Sequence, residues 1–212
     1  MSILQFENVS FRYDNYKEIF NNINLEINTG DFIALVGENG SGKSTLLKLI
    51  LGTVKPTSGK IIKNKKLKIG YVNQTISTED ITFPATVYEV LSLGLVNKPF
   101  HFLTKKDKVR LDETLELFNM TSLKNSSINS LSGGQMQKLK IAKVLLSNPD
   151  LIILDEPTTG IDVSSQEVLF ELIKHISAMK KTIILVTHKE EELAYCTRIL
   201  KLEENEVIEL HA

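Results

Sequence analysis

Apolar residues in this chain of 212 residues follow two kinds of pattern. Residues 32–36, 151–154 and 182–186 form short, nearly unbroken apolar runs, which are typical of strands buried on both faces. Residues 164–179, between the last two runs, carry apolar side chains at the period of a helix. Strands that alternate with helices predict an α/β fold with a parallel sheet.

The N-terminal part and the middle of the chain depart from this alternation. Short strand-like segments near the N-terminus predict a smaller antiparallel β layer, made of residues 3–11, 22–27 and 70–74. From residue 76 to 149 the pattern is helical, with almost no strand signal. We therefore predict one domain over residues 1–212. Its core lobe would contain residues 1–75 and 150–212, interrupted by a helical subdomain at 76–149.

Helix starts and stops can be placed from local signals. Gly52 is the expected C-terminal stop of a helix over residues 45–51. A Ser or Thr followed three residues later by an acid predicts a capping box, and three pairs fit: Thr86 with Glu89, Thr104 with Asp107, and Ser164 with Glu167. The predicted buried helix faces are Leu111, Leu115 and Phe118; Met136, Leu139, Ala142 and Leu146; and Val168, Leu172, Ile173 and Ile176.

Composition excludes several classes of protein. The net charge of −1 carries no basic footprint for nucleic acid. The single cysteine, Cys196, allows no disulfide within the chain, as is usual in a reducing compartment. The N-terminal residues lack the pattern of a signal peptide, and no apolar run is long enough to span a bilayer. We therefore expect any membrane association to depend on a partner.

The segment "GENGSGKST" carries the first chemical signal. It fits G-x-x-x-x-G-K-[ST], follows a predicted strand and precedes a predicted helix, which is the context that a P-loop requires. The glycines allow backbone amides to surround phosphates. Lys43 would contact the β- and γ-phosphates, and Ser44 would offer its hydroxyl to Mg²⁺.

A second signal, "LIILDEP", ends a buried strand with two acids. Asp155 is placed to hold Mg²⁺, directly or through water. Glu156, directed beyond the γ-phosphate, would act as the general base for the attacking water. Taken alone, two acids at a strand end are also compatible with a helix cap.

Three single residues extend this set. Gln74 ends the segment "IGYVNQ" and would place the metal or the water. His188 ends "IILVTH" and would contact the γ-phosphate. Tyr13 would stack on an adenine ring. Each of the three, considered alone, is equally compatible with a structural role.

The order of these motifs, with "LSGGQ" at residues 131–135 and "GID" at residues 160–162, resembles that of the nucleotide-binding subunits of ABC transporters along nearly the whole chain. The resemblance implies a P-loop NTPase core of the ABC ATPase type with an N-terminal antiparallel β layer and a helical subdomain. It implies ATP hydrolysis with Mg²⁺, and head-to-tail pairs that enclose two ATP molecules. The signature helix of one subunit would then meet the γ-phosphate held by its partner.

The resemblance also assigns a role to each matching residue. The expected catalytic residues are Glu156, His188, Gln74 and Lys43. The expected nucleotide-binding residues are Tyr13, Gly37, Glu38, Asn39, Gly40, Ser41, Gly42, Lys43, Ser44 and Thr45. The expected trans phosphate contacts are Ser132, Gly133, Gly134 and Gln135, with Asp162 for communication in the dimer and Ser44, Gln74 and Asp155 for Mg²⁺. Two departures from the family pattern are Lys138, after the signature, and Lys189, after the switch histidine.

The segment "TFPATVYEVLSLGL", residues 82–95, resembles the ATPases of zinc and manganese importers in the region that contacts the membrane subunits. The resemblance implies permease partners and a second ATPase subunit, which we expect to be an identical copy. It also implies an indirect link to an extracytoplasmic solute-binding protein and a location on the cytoplasmic face of the plasma membrane. The four histidines have no metal-ligand spacing, so we do not expect the chain to bind the transported ion. The ATPase of another solute system, or an ATP-gated signalling or structural module at the membrane, stays open as an alternative.

Overall fold

The computed structural model describes residues 1–14, 18–73, 84–95 and 103–210. Its strands are β1 Ser2–Arg12, β2 Glu18–Asn28, β3 Phe32–Gly37, β4 Ser58–Lys63, β5 Ile69–Val72, β6 Leu151–Asp155, β7 Thr182–Val186, β8 Arg198–Glu203 and β9 Glu206–Leu210. Its α-helices are α1 Lys43–Leu51, α2 Val87–Ser92, α3 Lys105–Leu117, α4 Gly133–Leu146, α5 Val163–Ala178 and α6 Glu190–Leu193.

The strands form two sheets. A six-stranded sheet has the order β5-β6-β7-β3-β8-β9 and is parallel except for the final pair. A three-stranded antiparallel sheet has the order β2-β1-β4. The α/β fold and the antiparallel layer near the N-terminus agree with the sequence patterns.

The central strands of the larger sheet, β3, β6 and β7, are buried on both faces, which explains their unbroken apolar runs. Successive side chains of a strand point to opposite faces. Phe32 and Ala34 pack toward the helices α2 to α5, whereas Ile33 and Leu35 pack toward α1 and the antiparallel sheet. The sheet therefore separates two apolar cores.

The prediction that the segment at residues 70–74 joins the antiparallel layer is wrong for residues 70–72. Gly70, Tyr71 and Val72 belong to β5, which pairs in parallel with β6 at the edge of the large sheet and not with the antiparallel layer. A strand of four residues is too short for its sequence pattern to show which sheet it joins. That choice depends on pairing with residues about eighty positions away in the chain.

Several helix predictions are confirmed. Gly52 ends α1 in a left-handed conformation. The capping boxes of Thr86 with Glu89 and of Thr104 with Asp107 both form. The predicted faces of α3 and α4 are buried, comprising Leu111, Leu115, Phe118, Met136, Leu139, Ala142 and Leu146.

The start of α5 was also predicted wrongly. The N-cap is Asp162, whose carboxylate accepts the backbone N–H of Ser165, and not Ser164. The helix therefore begins earlier than expected. Val168 is 50% exposed, and Leu169 takes its place on the buried face with Ile173 and Ile176.

Candidate functional site

The carboxyl ends of β3, β6 and β7 lie side by side, because these strands are adjacent and parallel. A cavity of about 630 Å³ opens at this edge. It is lined by Ile19, Glu38, Asn39, Gly40, Gly42, Lys43, Ser44, Thr45, Asp155, Glu156 and His188. The turn after β3, the acids at the end of β6 and the histidine after β7 thus meet in one place, as expected where ligands bind in open α/β sheets.

Two glycines allow the turn after β3 to take its shape. A Cβ on Gly37 would stand 2.6 Å from Ser41 Oγ and 2.8 Å from the carbonyl oxygen of Leu202, too close for any side chain. Gly42 has φ of 103°, and a Cβ there would meet Ile19 and Phe20 at 3.0 Å. The turn therefore depends on glycine for both contact and conformation.

The start of α1 is open toward the cavity. Within the described residues, no side chain caps its first backbone N–H groups, and the N-cap is Gly42. Four such groups have no partner inside a helix, and together with the helix dipole they attract anions. The hydroxyl of Ser41, just before this helix, is buried and lacks a hydrogen-bond partner among the described residues. This arrangement suits a phosphate chain.

Lys43 is held across the turn. Its Nζ donates to the carbonyl oxygens of Gly37 at 2.7 Å and Glu38 at 2.9 Å. Burial lowers the pKa of Lys43, and the charges of Glu156 and Asp155 partly oppose that shift. The ammonium group is thereby directed into the cavity by the backbone and not left to rotate freely.

Asp155 ends β6 and has a partner that sequence reasoning missed. The hydroxyl of Tyr71 donates to Asp155 Oδ2 at 2.8 Å. Burial raises the pKa of Asp155, the Tyr71 hydrogen bond lowers it, Glu156 raises it and Lys43 lowers it. The pKa of Tyr71 is raised, mainly by burial and secondly by its hydrogen bond to Asp155. No local signal marks Tyr71, because its role follows from the pairing of β5 with β6.

Glu156 adopts a left-handed backbone conformation with φ of 46°. Its N–H donates to the carbonyl oxygen of Val186 on β7 at 3.1 Å. Its Oε1 lies 3.2 Å from His188 Nε2, and its Oε2 accepts from the Thr159 hydroxyl at 3.2 Å. The carboxylate is thus oriented from both sides at the wall of the cavity, where a general base has to be positioned.

Tyr13 lies beside the start of α1. Its hydroxyl is 3.4 Å from Thr45 Oγ1, and its ring packs edge-on against Phe11 with 4.8 Å between centroids. The ring is half-buried, so one part remains available for stacking on a planar ligand. Gln74, the remaining member predicted for this cavity, lies outside the described residues.

The second glycine-rich helix start, that of α4, is closed and lies apart from the cavity. The Ser132 hydroxyl accepts the backbone N–H of Gln135, and the Gln135 side chain accepts the backbone N–H of Ser132. Neither these residues nor Gly133 and Gly134 line the cavity of the described chain. Ser132 and Gly133 are exposed.

The glycines of α4 pack against the first turn of α5 and the loop before it. A Cβ on Gly134 would stand 2.7 Å from the Cβ of Ser165, and one on Gly133 would stand 3.2 Å from Ile161. Asp162, in the same loop, accepts hydrogen bonds from the hydroxyl of Ser164 and the backbone of Ser165, which lower its pKa to about 2. The "LSGGQ" segment at residues 131–135 and Asp162 thus form one continuous surface.

The donor set fits Mg²⁺. This ion prefers oxygen ligands and is usually held by one or two carboxylates together with substrate phosphates. Ser44 and Asp155 line the same cavity and present a hydroxyl and a half-buried carboxylate. Bound there with a nucleotide, Mg²⁺ would neutralise charge on the phosphates.

Outside this cavity, no group of three or more His, Cys, Asp or Glu side chains among the described residues could hold a metal ion. In the same part of the chain, none of the helices combines the length and apolar character needed to cross a bilayer.

Residues 20–159 match the family described as ABC transporter. The chain is 35% identical over 216 residues to the high-affinity zinc uptake system ATP-binding protein ZnuC of Bacillus subtilis, which covers 97% of this chain and 93% of the relative. It is 42% identical over 197 residues to the zinc uptake system ATP-binding protein ZurA of Listeria monocytogenes, covering 88% of this chain and 76% of the relative.

Solved structures of ATP-binding cassettes have the same fold. The chain superposes with a TM-score of 0.86 and 31% identity on cbiO1 from Clostridium perfringens, part of the ABC transporter complex cbiONQ, covering 98% of this chain and 87% of that one. It superposes with a TM-score of 0.80 and 30% identity on the dimeric ATP-binding cassette MJ0796 in a post-hydrolysis state with ADP and phosphate, covering 99% and 98%.

Proposed function

The chain belongs to the ABC transporter family and is an ATPase, and we propose that it energises the import of zinc, or a similar divalent metal ion, through a partner permease. The observation that carries this proposal is the similarity, over nearly the whole chain, to ATP-binding proteins of zinc uptake systems. The proposed division of the domain is a core lobe of residues 1–75 and 150–212 with a helical subdomain at 76–149.

In the proposed site, ATP lies on the turn after β3 and the open start of α1. Lys43 and the backbone amides contact its phosphates, and Tyr13 stacks on the adenine. Ser44, Asp155 and Gln74 hold Mg²⁺. The supporting observation is that Lys43, Ser44 and Asp155 line one cavity in front of an uncapped helix.

Hydrolysis is assigned to Glu156 with His188. Glu156 accepts a proton from water as the water oxygen attacks the γ-phosphorus, and the bond to the bridging oxygen breaks to release ADP and phosphate. His188, 3.2 Å from Glu156, orients the carboxylate and contacts the γ-phosphate. Charge that develops on the phosphoryl group is stabilised by Lys43 and by the dipole of a helix start.

We propose that the second helix start completes the site of another copy of the chain. Ser132 and the amides of Gly133 and Gly134 would meet the γ-phosphate bound by that copy, with Gln135 closing the helix and Asp162 beside it at the interface. Support comes from the separation of this segment from its own cavity and from the similarity to a dimeric cassette. ATP would then join two subunits, and hydrolysis would release them.

The permease is proposed to contact residues 82–95, of which residues 84–95 are described. Here α2 is capped by Thr86 and Glu89 and is followed by a short turn in which Leu93 is 56% exposed. Such a complex would place the chain on the cytoplasmic face of the plasma membrane, with an extracytoplasmic binding protein delivering the ion to the permease.

Deletion of the gene tests the assignment of the cargo. Growth under a zinc chelator should fail, zinc uptake should fall to background, and added zinc should restore growth. Wild-type protein should complement the deletion, whereas Glu156→Gln should not. Unchanged growth and zinc uptake, together with failed uptake of another solute, would reject the zinc assignment and leave the ATPase intact. Unchanged transport of every solute would favour the non-transport alternative.

A further inference from the structure

A polar connection joins the segment after β7 to the loop after β6. The Lys189 ammonium donates to Gln166 Oε1 on α5. The Gln166 Nε2 group donates in turn to the carbonyl oxygen of Ile161 at 2.8 Å. Lys189 directly follows His188, and Ile161 directly precedes Asp162, so the connection links the neighbours of two proposed site residues.

The chemistry of the three groups permits only one orientation of the amide. A lysine ammonium can only donate, and a backbone carbonyl can only accept. Gln166 therefore presents its oxygen to Lys189 and its nitrogen to Ile161. An acidic residue at position 189 would attract the amide nitrogen, and the Ile161 carbonyl would lose its partner. Lysine at this position thus determines how the loop is held.

A second contact binds the same two segments deeper in the fold. The Thr158 hydroxyl donates to Glu192 Oε1 at 3.1 Å, and both side chains are 4% exposed. The backbone N–H of Lys189 also donates to the Thr187 hydroxyl at 3.1 Å. Thr158 therefore anchors the loop near Glu156, whereas Gln166 anchors it at Ile161, directly before Asp162.

We propose that Lys189 and Gln166 are positioning residues for ATP hydrolysis, which keep His188 and the loop from Glu156 to Asp162 in their mutual arrangement. This inference rests on the roles proposed above for Glu156, His188 and Asp162. A displacement of about 1 Å at a reacting group can lower a rate by about 100-fold, so a connection that controls this arrangement affects turnover. ATP binding on the turn after β3 involves neither residue.

The test compares ATPase kinetics of four variants of the full chain. Lys189→Met removes the donor, Gln166→Leu removes the acceptor but keeps the lysine charge, and the double variant removes both. Lys189→Arg keeps a donor. The first two variants should lower kcat by about 10-fold with the KM for ATP within about twofold, consistent with a small displacement. The double variant should lose no more than Gln166→Leu alone, because that variant already removes the contact through which Lys189 acts. Lys189→Arg should retain most of the wild-type kcat.

A matched control lies elsewhere on the surface. Lys181 Nζ donates to Asn148 Oδ1 at 2.8 Å. This is the same type of lysine–amide pair, and both residues lie far along the chain from the turn after β3. Lys181→Met should leave kcat unchanged. Thermal melting of every variant distinguishes lost folding from lost positioning.

The outcomes separate the inference from the function on which it rests. An inactive wild-type chain would overturn the proposed site. An active wild-type chain with unchanged kcat in Gln166→Leu would overturn the positioning role, since any effect of Lys189→Met would then be one of charge alone. Additive losses in the double variant would overturn it too. If Lys189→Met does not fold, Gln166→Glu decides: it keeps a partner for Lys189 but loses the donor to Ile161, and wild-type turnover would reject the proposal.

Discussion

Two helices of this chain begin after glycine-rich turns, and they differ in whether a side chain caps the backbone N–H groups of the helix start. Before α1, the N-cap is Gly42 and no described side chain covers the free backbone N–H groups, which face the cavity. Before α4, Ser132 and Gln135 close the helix start with a reciprocal pair of hydrogen bonds. The first helix start has no side-chain cap, whereas the second is capped by side chains of its own segment.

The difference shows that glycine has two uses at a helix start. At Gly42 it allows a left-handed conformation, which leaves the amides uncovered. At Gly134 it removes a side chain so that α4 can approach Ser165 closely. The capped start lies beside the loop that contains Asp162, and we propose that this surface meets a second subunit. Four variants test this contrast, in order of decreasing expected effect.

The largest effect is expected on the α1 side. Glu156→Gln should lower steady-state ATP hydrolysis by about 10²–10⁴-fold, because the amide cannot accept the proton of the attacking water. ATP binding, measured by equilibrium titration, should persist. Hydrolysis within about threefold of the wild type would exclude Glu156 as the general base.

On the α4 side, Ser132→Arg tests the surface. In the Glu156→Gln background with ATP, the chain should dimerise, and addition of Ser132→Arg should prevent this. An unpaired charge placed in an interface costs several kcal/mol, which corresponds to at least a tenfold weaker dimer. Light scattering with and without ATP measures the mass. Equal masses in all these states would contradict a nucleotide-joined dimer.

Gly134→Ala tests the close packing of α4 against the first turn of α5. The new Cβ would overlap Ser165 at 2.7 Å, and such overpacking costs about 1–3 kcal/mol in the free energy of unfolding. Gly133→Ala is the matched control, since its Cβ would meet Ile161 at only 3.2 Å. In a Ser165→Gly background, Gly134→Ala should be close to neutral. A urea midpoint equal to wild type for Gly134→Ala would show that the contact is not tight.

The smallest effect is expected from Tyr71→Phe, which removes a hydrogen bond to Asp155. Burial already raises the pKa of Asp155 and the Tyr71 bond opposes this, so its loss should raise that pKa further. Activity needs the ionised carboxylate and is lost as pH falls through this pKa. The acid limb of the profile of kcat/KM against pH should therefore move to higher pH. An unchanged limb would separate Tyr71 from the function of Asp155.

The sequence determined those features that depend on near neighbours. The unbroken apolar runs predicted β3, β6 and β7, and capping boxes predicted the starts of α2 and α3, because these signals involve residues within about four positions of each other. The P-loop pattern likewise placed Lys43 and Ser44 between a strand and a helix. The roles predicted for the site residues stay proposals, but Lys43, Asp155, Glu156 and His188 do line one cavity.

Only the tertiary structure decided the features that join distant parts of the chain. Tyr71 and Asp155 are 84 positions apart, and their hydrogen bond exists because β5 pairs with β6 and not with the antiparallel layer. Lys189 and Gln166 are 23 positions apart, and their hydrogen bond joins the segment after β7 to α5. At the start of α5, the cap is Asp162, which accepts the backbone N–H of Ser165, and not the predicted Ser164. A local sequence pattern indicates which polar groups need hydrogen-bond partners, whereas strand order and helix packing determine which residues those partners are.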